Sequence, residues 1–114
     1  MSPTAIRDVR FFTARSALSR PIADATHAIP EIRFVVAGIA LANGVTGQSH
    51  LLAFHYSRHA IAGACRDLEA FLRGRDACDT EAVIRDWDTE SGCFGRAGVS
   101  RWALGRASLA RWDA

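Results

Sequence analysis

The chain has 114 residues, of which 49% are hydrophobic and 23% are charged, and its formal net charge is +2. These values are typical of one globular domain and exclude a disordered chain, and the length excludes a complete (β/α)8 barrel of about 250 residues. All 14 basic residues are arginine, which excludes a Schiff-base lysine and the lysine of a phosphate-binding loop.

The charge distribution also argues against two classes of partner. The arginines are spread along the whole chain, so no basic stripe for nucleic acid is predicted. The longest stretch without Arg, Asp or Glu, residues 34–57, contains Asn43-Gly44 and two histidines, and no membrane span is expected there. Charged residues near the N-terminus argue against a signal peptide.

Cysteine usage predicts the cellular compartment. The three cysteines are an odd number without a Cys-x-x-Cys motif, and they are Cys65, Cys78 and Cys93. Neither a disulfide framework nor a zinc ribbon is indicated, and we expect a reducing cytoplasm.

The first half of the chain predicts strands. Residues 4–14 predict a first strand, and residues 15–30, which lack a sustained period, predict a long loop of the kind that is often functional. Residues 31–42 are apolar on both faces, which predicts a central strand. Asn43-Gly44 predicts a tight hairpin turn, after which residues 46–54 return antiparallel.

The second half predicts helices, so the expected fold class is α+β. Ser57 is the predicted cap of a helix that runs to about Arg73, and Gly74 is its left-handed C-terminal residue. A second helix is predicted to start at Asp79 or Thr80. After a glycine-punctuated loop over residues 92–98, a last helix starts at about Val99 and carries three large apolar residues, Trp102, Leu109 and Trp112.

Five stretches in a fixed order carry a family resemblance: IRDV at 6–9, RPIADATH at 20–27, NGVTGQS at 43–49, LLAF at 51–54 and ASLARWD at 107–113. Together they resemble the N-terminal capping domain of the enolase superfamily, in the mandelate racemase/muconate lactonizing enzyme branch. The long loop and the hairpin look most like mandelate racemase and the acid-sugar dehydratases. The resemblance implies a single capping domain over residues 1–114, with a three-stranded antiparallel sheet (about 4–54) followed by a small helical bundle (about 57–113).

The resemblance also implies a function. In this family the domain caps a (β/α)8 barrel, which would begin directly after Asp113, and the isomerase or lyase chemistry is abstraction of a proton α to a carboxylate with Mg²⁺. The metal ligands and bases come from barrel strands. We therefore expect this chain to bind no cofactor, to be non-catalytic alone as a truncated or split form, and to partner a separately encoded barrel. A carboxylic-acid substrate is expected only in the complete enzyme.

Two loops, residues 15–30 and 47–56, are implied to face the substrate in such an enzyme. Ile22 and Ile29 are candidates for an apolar wall, Thr26 and His27 for polar contacts, and His50 and Phe54 for substrate-facing positions. For Ile22, Ile29 and Phe54 the alternative is a place in the core.

The chain departs from the family pattern in its last helix. Ser108 stands where the family usually has an aspartate, and Gly105-Arg106 interrupts a segment that is normally alanine-rich. These departures put a well-packed seam with a barrel in doubt.

Other constellations predict little chemistry. His50, His55 and His59 lack a neighbouring acid or thiol, so surface histidines are expected rather than a metal site. Cys65 lies on an apolar helical stripe and is predicted to be an inert thiol. The rival hypothesis is a non-enzymatic module that dimerises, or that binds an organic acid through its arginines. Exposed aromatic residues of the last helix would favour such self-association.

Overall fold

The computed structural model describes residues 2–53 and 58–114, with only the backbone at Arg58. Its elements are β1 (Ile6–Ala23), β2 (Ala28–Leu41), β3 (Thr46–Leu52), α1 (Arg58–Leu72), α2 (Thr80–Glu90), a 3-10 turn (Gly92–Phe94) and α3 (Val99–Asp113). The α+β class, with a three-stranded antiparallel sheet followed by helices, is confirmed.

β2 is the central strand of the sheet, as its apolar character predicts. The strand order is β1-β2-β3, and both pairings are antiparallel. Val35 and Ile39 are buried on the face toward the helices, whereas Phe34 and Val36 are half-buried on the opposite face. This alternation defines an outer face of the sheet that none of the described helices covers.

The predicted loop over residues 15–30 is wrong, because most of it is a β-hairpin. β1 continues to Ala23 and β2 begins at Ala28, with pairing interrupted only between Ala17 and Ile22. Pro21 lies in that irregular stretch, where a missing N–H costs no ladder hydrogen bond. Both faces of the hairpin are largely exposed here, so no apolar period marks the strands in the sequence.

The second hairpin turn is confirmed. Gly44 has a φ of 89°, and the Asn43 side chain accepts a hydrogen bond from the backbone N–H of Val45 at 3.0 Å. Leu41 and Val45 close the turn through a backbone bond of 2.8 Å. The Asn-Gly pair therefore sets the register between β2 and β3.

The helix boundaries follow the predicted capping residues where the structure describes them. Gly74 has a φ of 80° just beyond the end of α1, and the Asp79 side chain accepts a hydrogen bond from the Ala82 N–H at the start of α2. The Ser57 cap lies outside the described residues. None of the helices in the described part of the chain has the length and apolar character that a bilayer crossing requires.

The core lies between the inner face of the sheet and the helices. Its largest fully buried side chains are Ile6, Val9, Val35, Ile61, Cys65, Leu68, Leu72 and Val83. Burial raises the pKa of the Cys65 thiol to about 12, in agreement with the prediction of an inert thiol. All three cysteines are free, with Cys78 and Cys93 exposed.

Candidate functional site

The β1–β2 hairpin projects beyond the rest of the sheet. The last β3 pairing joins Leu52 to Phe34, and the Ala53 N–H donates to the Arg33 carbonyl at 2.8 Å. Residues 28–33 of β2 continue past this point, which corresponds to about 20 Å of extended strand. β3 thus ends at the base of the projecting hairpin, at the end of the sheet from which the hairpin tip extends.

The tip of the hairpin is ordered by one carboxylate. Asp24 accepts hydrogen bonds from the backbone N–H groups of Thr26 at 2.8 Å and His27 at 2.7 Å. These bonds, that of Thr26 foremost, hold the pKa of Asp24 below its usual range. The Thr26 hydroxyl lies 2.7 Å from Nδ1 of His27. Asp24 is not among the site residues predicted from the sequence, although aspartate is a common turn residue because its side chain can bond the backbone N–H two residues ahead.

The two isoleucines of the tip differ in exposure. Ile22 and Ile29 are paired across the hairpin, but Ile22 is 53% exposed and Ile29 is 8% exposed. Ile29 does not belong to the main hydrophobic core cluster. The alternative that Ile22 is a core residue is therefore wrong, whereas Ile29 is buried locally within the projecting hairpin.

His50 lies apart from the tip. It occupies the outer face of β3, pairs with Val36 and places its ring edge-on to Phe34 at 5.8 Å. Val36 is seven residues along β2 from Ile29, or about 23 Å. The structure therefore groups four predicted site residues at the tip and separates His50 from them. Phe54 lies outside the described residues.

His50 instead contributes to a shallow cavity of about 540 Å³ on the outer face of the sheet. Phe34 and Val36 line it together with Asp113 from the end of α3. The described lining combines three apolar residues, Ala14, Phe34 and Val36, with four polar ones, Gln48, Ser49, His50 and Asp113.

The described residues do not form a Mg²⁺ site. Within residues 2–53 and 58–114 no group of three or more His, Cys, Asp or Glu side chains could hold a metal ion. Several carboxylates are instead paired with arginines: Asp86 with Arg75 at 2.8 Å, and Asp88 with Arg101 at 2.7 Å. The Arg75 hydrogen bond holds the pKa of Asp86 below its usual range. Since Mg²⁺ needs near-octahedral oxygen ligands, this chain's described part does not fit the ion. His55 lies outside that part.

Gly47 brings β3 into direct contact with the end of α3. A Cβ at this position would lie 2.1 Å from the Ala110 carbonyl oxygen and 2.5 Å from the Ala114 nitrogen. Real Cβ atoms do not approach backbone so closely, and glycine is therefore required by space rather than by φ. This packing explains the second glycine of the NGVTGQS stretch, Gly47.

Three polar contacts fasten α3 along the edge of β3. The Asp113 carboxylate accepts from the Gln48 N–H at 2.8 Å, and Arg106 Nη1 donates to the His50 carbonyl at 2.5 Å. The Ser49 hydroxyl donates to the Arg106 carbonyl at 2.6 Å. The first two contacts satisfy β3 backbone groups that an edge strand otherwise leaves open, and the third joins a β3 side chain to the backbone of α3. The Arg106 departure thus has a structural reason that the sequence alone did not show.

The side of α3 that faces away from the core carries large apolar side chains in solvent. Trp102, Leu109 and Trp112 are 52%, 48% and 77% exposed, at positions that share one side of a helix. Gly105 lies among them, with open space where a Cβ would be. We call Trp102, Gly105, Leu109 and Trp112 the α3 outer face. Its exposure agrees with the expectation for the last helix.

Comparisons with known proteins bear on this arrangement. No protein-family model matches the chain, and no curated protein sequence matches it. Among solved structures, L-talarate dehydratase from Polaromonas sp. JS666, complexed with Mg and L-glucarate, superposes with a TM-score of 0.86 at 24% identity. An enolase from Bradyrhizobium, complexed with magnesium and mandelic acid, gives a TM-score of 0.81 at 26% identity. A racemase from Streptomyces coelicolor A3(2) with bound magnesium gives 0.85 at 25% identity.

The chain has the fold of the enolase-superfamily N-terminal capping domain. The three matches cover 95%, 100% and 94% of this chain, but only 31%, 32% and 30% of the solved chains. The chain therefore spans about a third of the length of the structures it matches. The resemblance drawn from its sequence motifs is confirmed at the level of the fold.

Proposed function

We propose that this capping-domain fold closes over the catalytic barrel of a Mg²⁺-dependent racemase or acid-sugar dehydratase and helps to select its substrate. The observation that carries the proposal is the coverage, nearly complete for this chain and about one third for the solved chains. Those solved chains hold magnesium with L-glucarate or mandelic acid. The reaction class assigned to the complete enzyme is abstraction of a proton α to a carboxylate.

The projecting hairpin is the part of the chain that we assign to the substrate. Asp24 orders the tip before any ligand arrives, so little conformational entropy is lost on closure. Ile22 offers an exposed apolar side chain, and Thr26 and His27 offer hydroxyl and imidazole groups. Such a tip can contact a polar acid and exclude water without carrying out proton transfer.

Residues 50–54, which comprise the end of β3 and the two residues after it, are the second proposed contact. For His50 and Phe54 the substrate-facing role remains a proposal. The edge contacts of Arg106 and Asp113 support this segment by holding β3 against α3.

Catalytic groups are assigned to the barrel. The described residues do not fit Mg²⁺, and no lysine is present anywhere in the chain. The capping domain by itself is therefore proposed to be non-catalytic, and its partner to be a barrel that supplies metal ligands and bases. Three free thiols are consistent with the proposed reducing cytoplasm.

A chimera tests this function. This chain replaces the matching third of the Polaromonas L-talarate dehydratase, and kcat/KM is measured with Mg²⁺ for acid sugars and for mandelate. We expect turnover by the chimera, with a substrate preference that differs from that of the parent, and no turnover by the purified chain alone.

Two results would contradict the proposal. Turnover by the purified chain alone would show that the catalytic groups lie within it. A folded, Mg²⁺-binding chimera with the parent's substrate preference would show that the hairpin does not select substrate. A stable dimer of the purified chain would favour the rival non-enzymatic module.

A further inference from the structure

The hairpin tip contains a short chain of hydrogen bonds that runs from a carboxylate to an imidazole. Oδ1 of Asp24 lies 3.2 Å from the Thr26 hydroxyl oxygen, and that oxygen lies 2.7 Å from Nδ1 of His27. Nδ1 is also 3.5 Å from the same carboxylate oxygen. The turn that carries the three side chains is closed by a backbone hydrogen bond of 3.0 Å from the Asp24 N–H to the His27 carbonyl.

The chemistry of the three groups sets the direction of these bonds. Hydrogen bonds from backbone N–H groups, that of Thr26 foremost, hold the pKa of Asp24 below its usual range, so the carboxylate is ionised at neutral pH and can only accept. The Thr26 hydroxyl has a single proton, which therefore lies toward Asp24. The hydroxyl oxygen then accepts from His27, and the ring proton of neutral His27 lies on Nδ1.

The opposite arrangement is unfavourable. If the Thr26 hydroxyl donated to Nδ1, no proton would lie between its oxygen and the ionised carboxylate 3.2 Å away. The lone pair of Nδ1 would also face that carboxylate at 3.5 Å. Negative partial charges at such distances repel one another. Because the hydrogen bond of one ring nitrogen sets the state of the other, Nε2 of neutral His27 carries the lone pair.

We propose that Nε2 of His27 accepts a hydrogen bond from a substrate hydroxyl, and that Asp24 and Thr26 are positioning residues that hold the ring in this tautomer. The inference deepens the proposed function and rests on it. The substrate class that fits is a polyhydroxylated acid, which has hydroxyl groups beyond the carbon next to its carboxylate. Mandelate has its single hydroxyl at that reacting carbon and none elsewhere. The His27 side chain is 49% exposed, which leaves the ring accessible to such a substrate.

Imidazole ¹⁵N chemical shifts test the tautomer in the purified chain. Long-range ¹H–¹⁵N spectra are recorded at alkaline pH, where imidazoles are neutral. We expect Nδ1 of His27 to have the shift of a protonated nitrogen and Nε2 that of an unprotonated one. A ring proton on Nε2 would overturn the proposal.

Two variants of Thr26 test the positioning role. Thr26→Val removes the hydroxyl and keeps the branched shape, whereas Thr26→Ser is the matched control that retains the hydroxyl. We expect Thr26→Val to move the His27 ring proton toward Nε2, and Thr26→Ser to leave it on Nδ1. The ring shifts of His50, which lies on β3 away from the tip, should be the same in both variants. An unchanged His27 tautomer in Thr26→Val would contradict the role assigned to Thr26.

Kinetics of the chimera test the substrate class. His27→Phe keeps a flat ring and removes Nε2. We expect kcat/KM for L-glucarate to fall about tenfold, the order of one lost hydrogen bond, and kcat/KM for mandelate to change by less than about twofold. Thr26→Val should also lower the value for L-glucarate, whereas Thr26→Ser should not.

The outcomes separate this inference from the proposed function. Equal losses of kcat/KM for both substrates in His27→Phe would overturn the inference and leave the proposed function intact. A folded chimera without turnover would contradict the proposed function and, with it, the substrate contact of His27. The tautomer is decided independently by the spectra of the purified chain.

Discussion

Replacing Gly47 with alanine should force β3 and α3 apart. The new Cβ would lie 2.1 Å from the Ala110 oxygen and 2.5 Å from the Ala114 nitrogen, and both are backbone atoms that no rotamer change can move. The end of α3 must therefore shift by about 1 Å or more, since ordinary contacts of this kind begin above 3 Å. The shift stretches the Gln48–Asp113 hydrogen bond, which is 2.8 Å long.

The expected cost combines two effects. Overpacking a close contact costs about 1–3 kcal/mol. The two hydrogen bonds made by Gln48 and Ser49 to α3 contribute about 1 kcal/mol each, and the displaced helix weakens both. We therefore expect Gly47→Ala to lower the free energy of unfolding by about 3 kcal/mol, a large fraction of the stability of a small domain.

Urea unfolding followed by tryptophan fluorescence measures this loss. Gly38→Ala is the matched control, because Gly38 lies in the neighbouring strand and nothing lies within 4 Å of its added Cβ. That control should be neutral or stabilising by up to about 1 kcal/mol, since glycine is unfavourable inside a strand. A Gly47→Ala variant whose free energy of unfolding lies within about 0.5 kcal/mol of the wild-type value would behave like a typical surface substitution. That result would refute the close packing of β3 on α3.

Further predictions concern three single sites, Gly105, Cys65 and Asp24. Gly105→Ala, with open space for its Cβ, should stabilise the isolated chain by up to about 1 kcal/mol in thermal unfolding, and a loss would mean that α3 is not helical there. Native Cys65 should resist iodoacetamide while Cys78 and Cys93 react, as mass spectrometry of the labelled chain would show. Burial raises the pKa of Cys65 from 9.0 to about 12, so the unfolded chain loses this proton at a lower pH than the folded chain does. The free energy of unfolding should therefore fall as pH rises above about 9. A Cys65→Ala variant whose free energy of unfolding falls with the same slope would contradict this cause. Asp24→Ala should speed amide exchange at Thr26 and His27 without changing exchange in the core, and unchanged rates at the tip would disprove its ordering role.

Much of the fold was predictable because local signals agree with it. Asn43-Gly44 set the second hairpin, Gly74 ended α1, and Asp79 capped α2, each through conformational or hydrogen-bonding preferences that act within a few residues. The central position of β2 followed from apolar side chains on both of its faces.

The remainder depends on contacts that no local pattern encodes. The sequence of the extended hairpin predicts a loop because β1 is largely exposed there, and Ser16 and Ser19 stand where a half-buried strand would have apolar residues. The separation of His50 from the tip depends on how far β1 and β2 extend beyond β3. The burial of Arg111 and the edge contacts of Arg106 depend on where α3 lies in the fold. Along the chain, Arg106 is over 50 residues from its partners in β3.

The measurement that tests the proposed function most directly compares two exposed apolar side chains at opposite ends of the sheet. Ile22 lies at the projecting hairpin, whereas Val45 follows the Asn43-Gly44 turn, and both are exposed. In the chimera, Ile22→Ala should change the ratio of kcat/KM values between an acid sugar and mandelate by about tenfold, the effect of a small apolar contact on specificity. Val45→Ala should leave that ratio unchanged. Equal ratios for the wild-type chimera and both variants would contradict a substrate-selecting role for the hairpin.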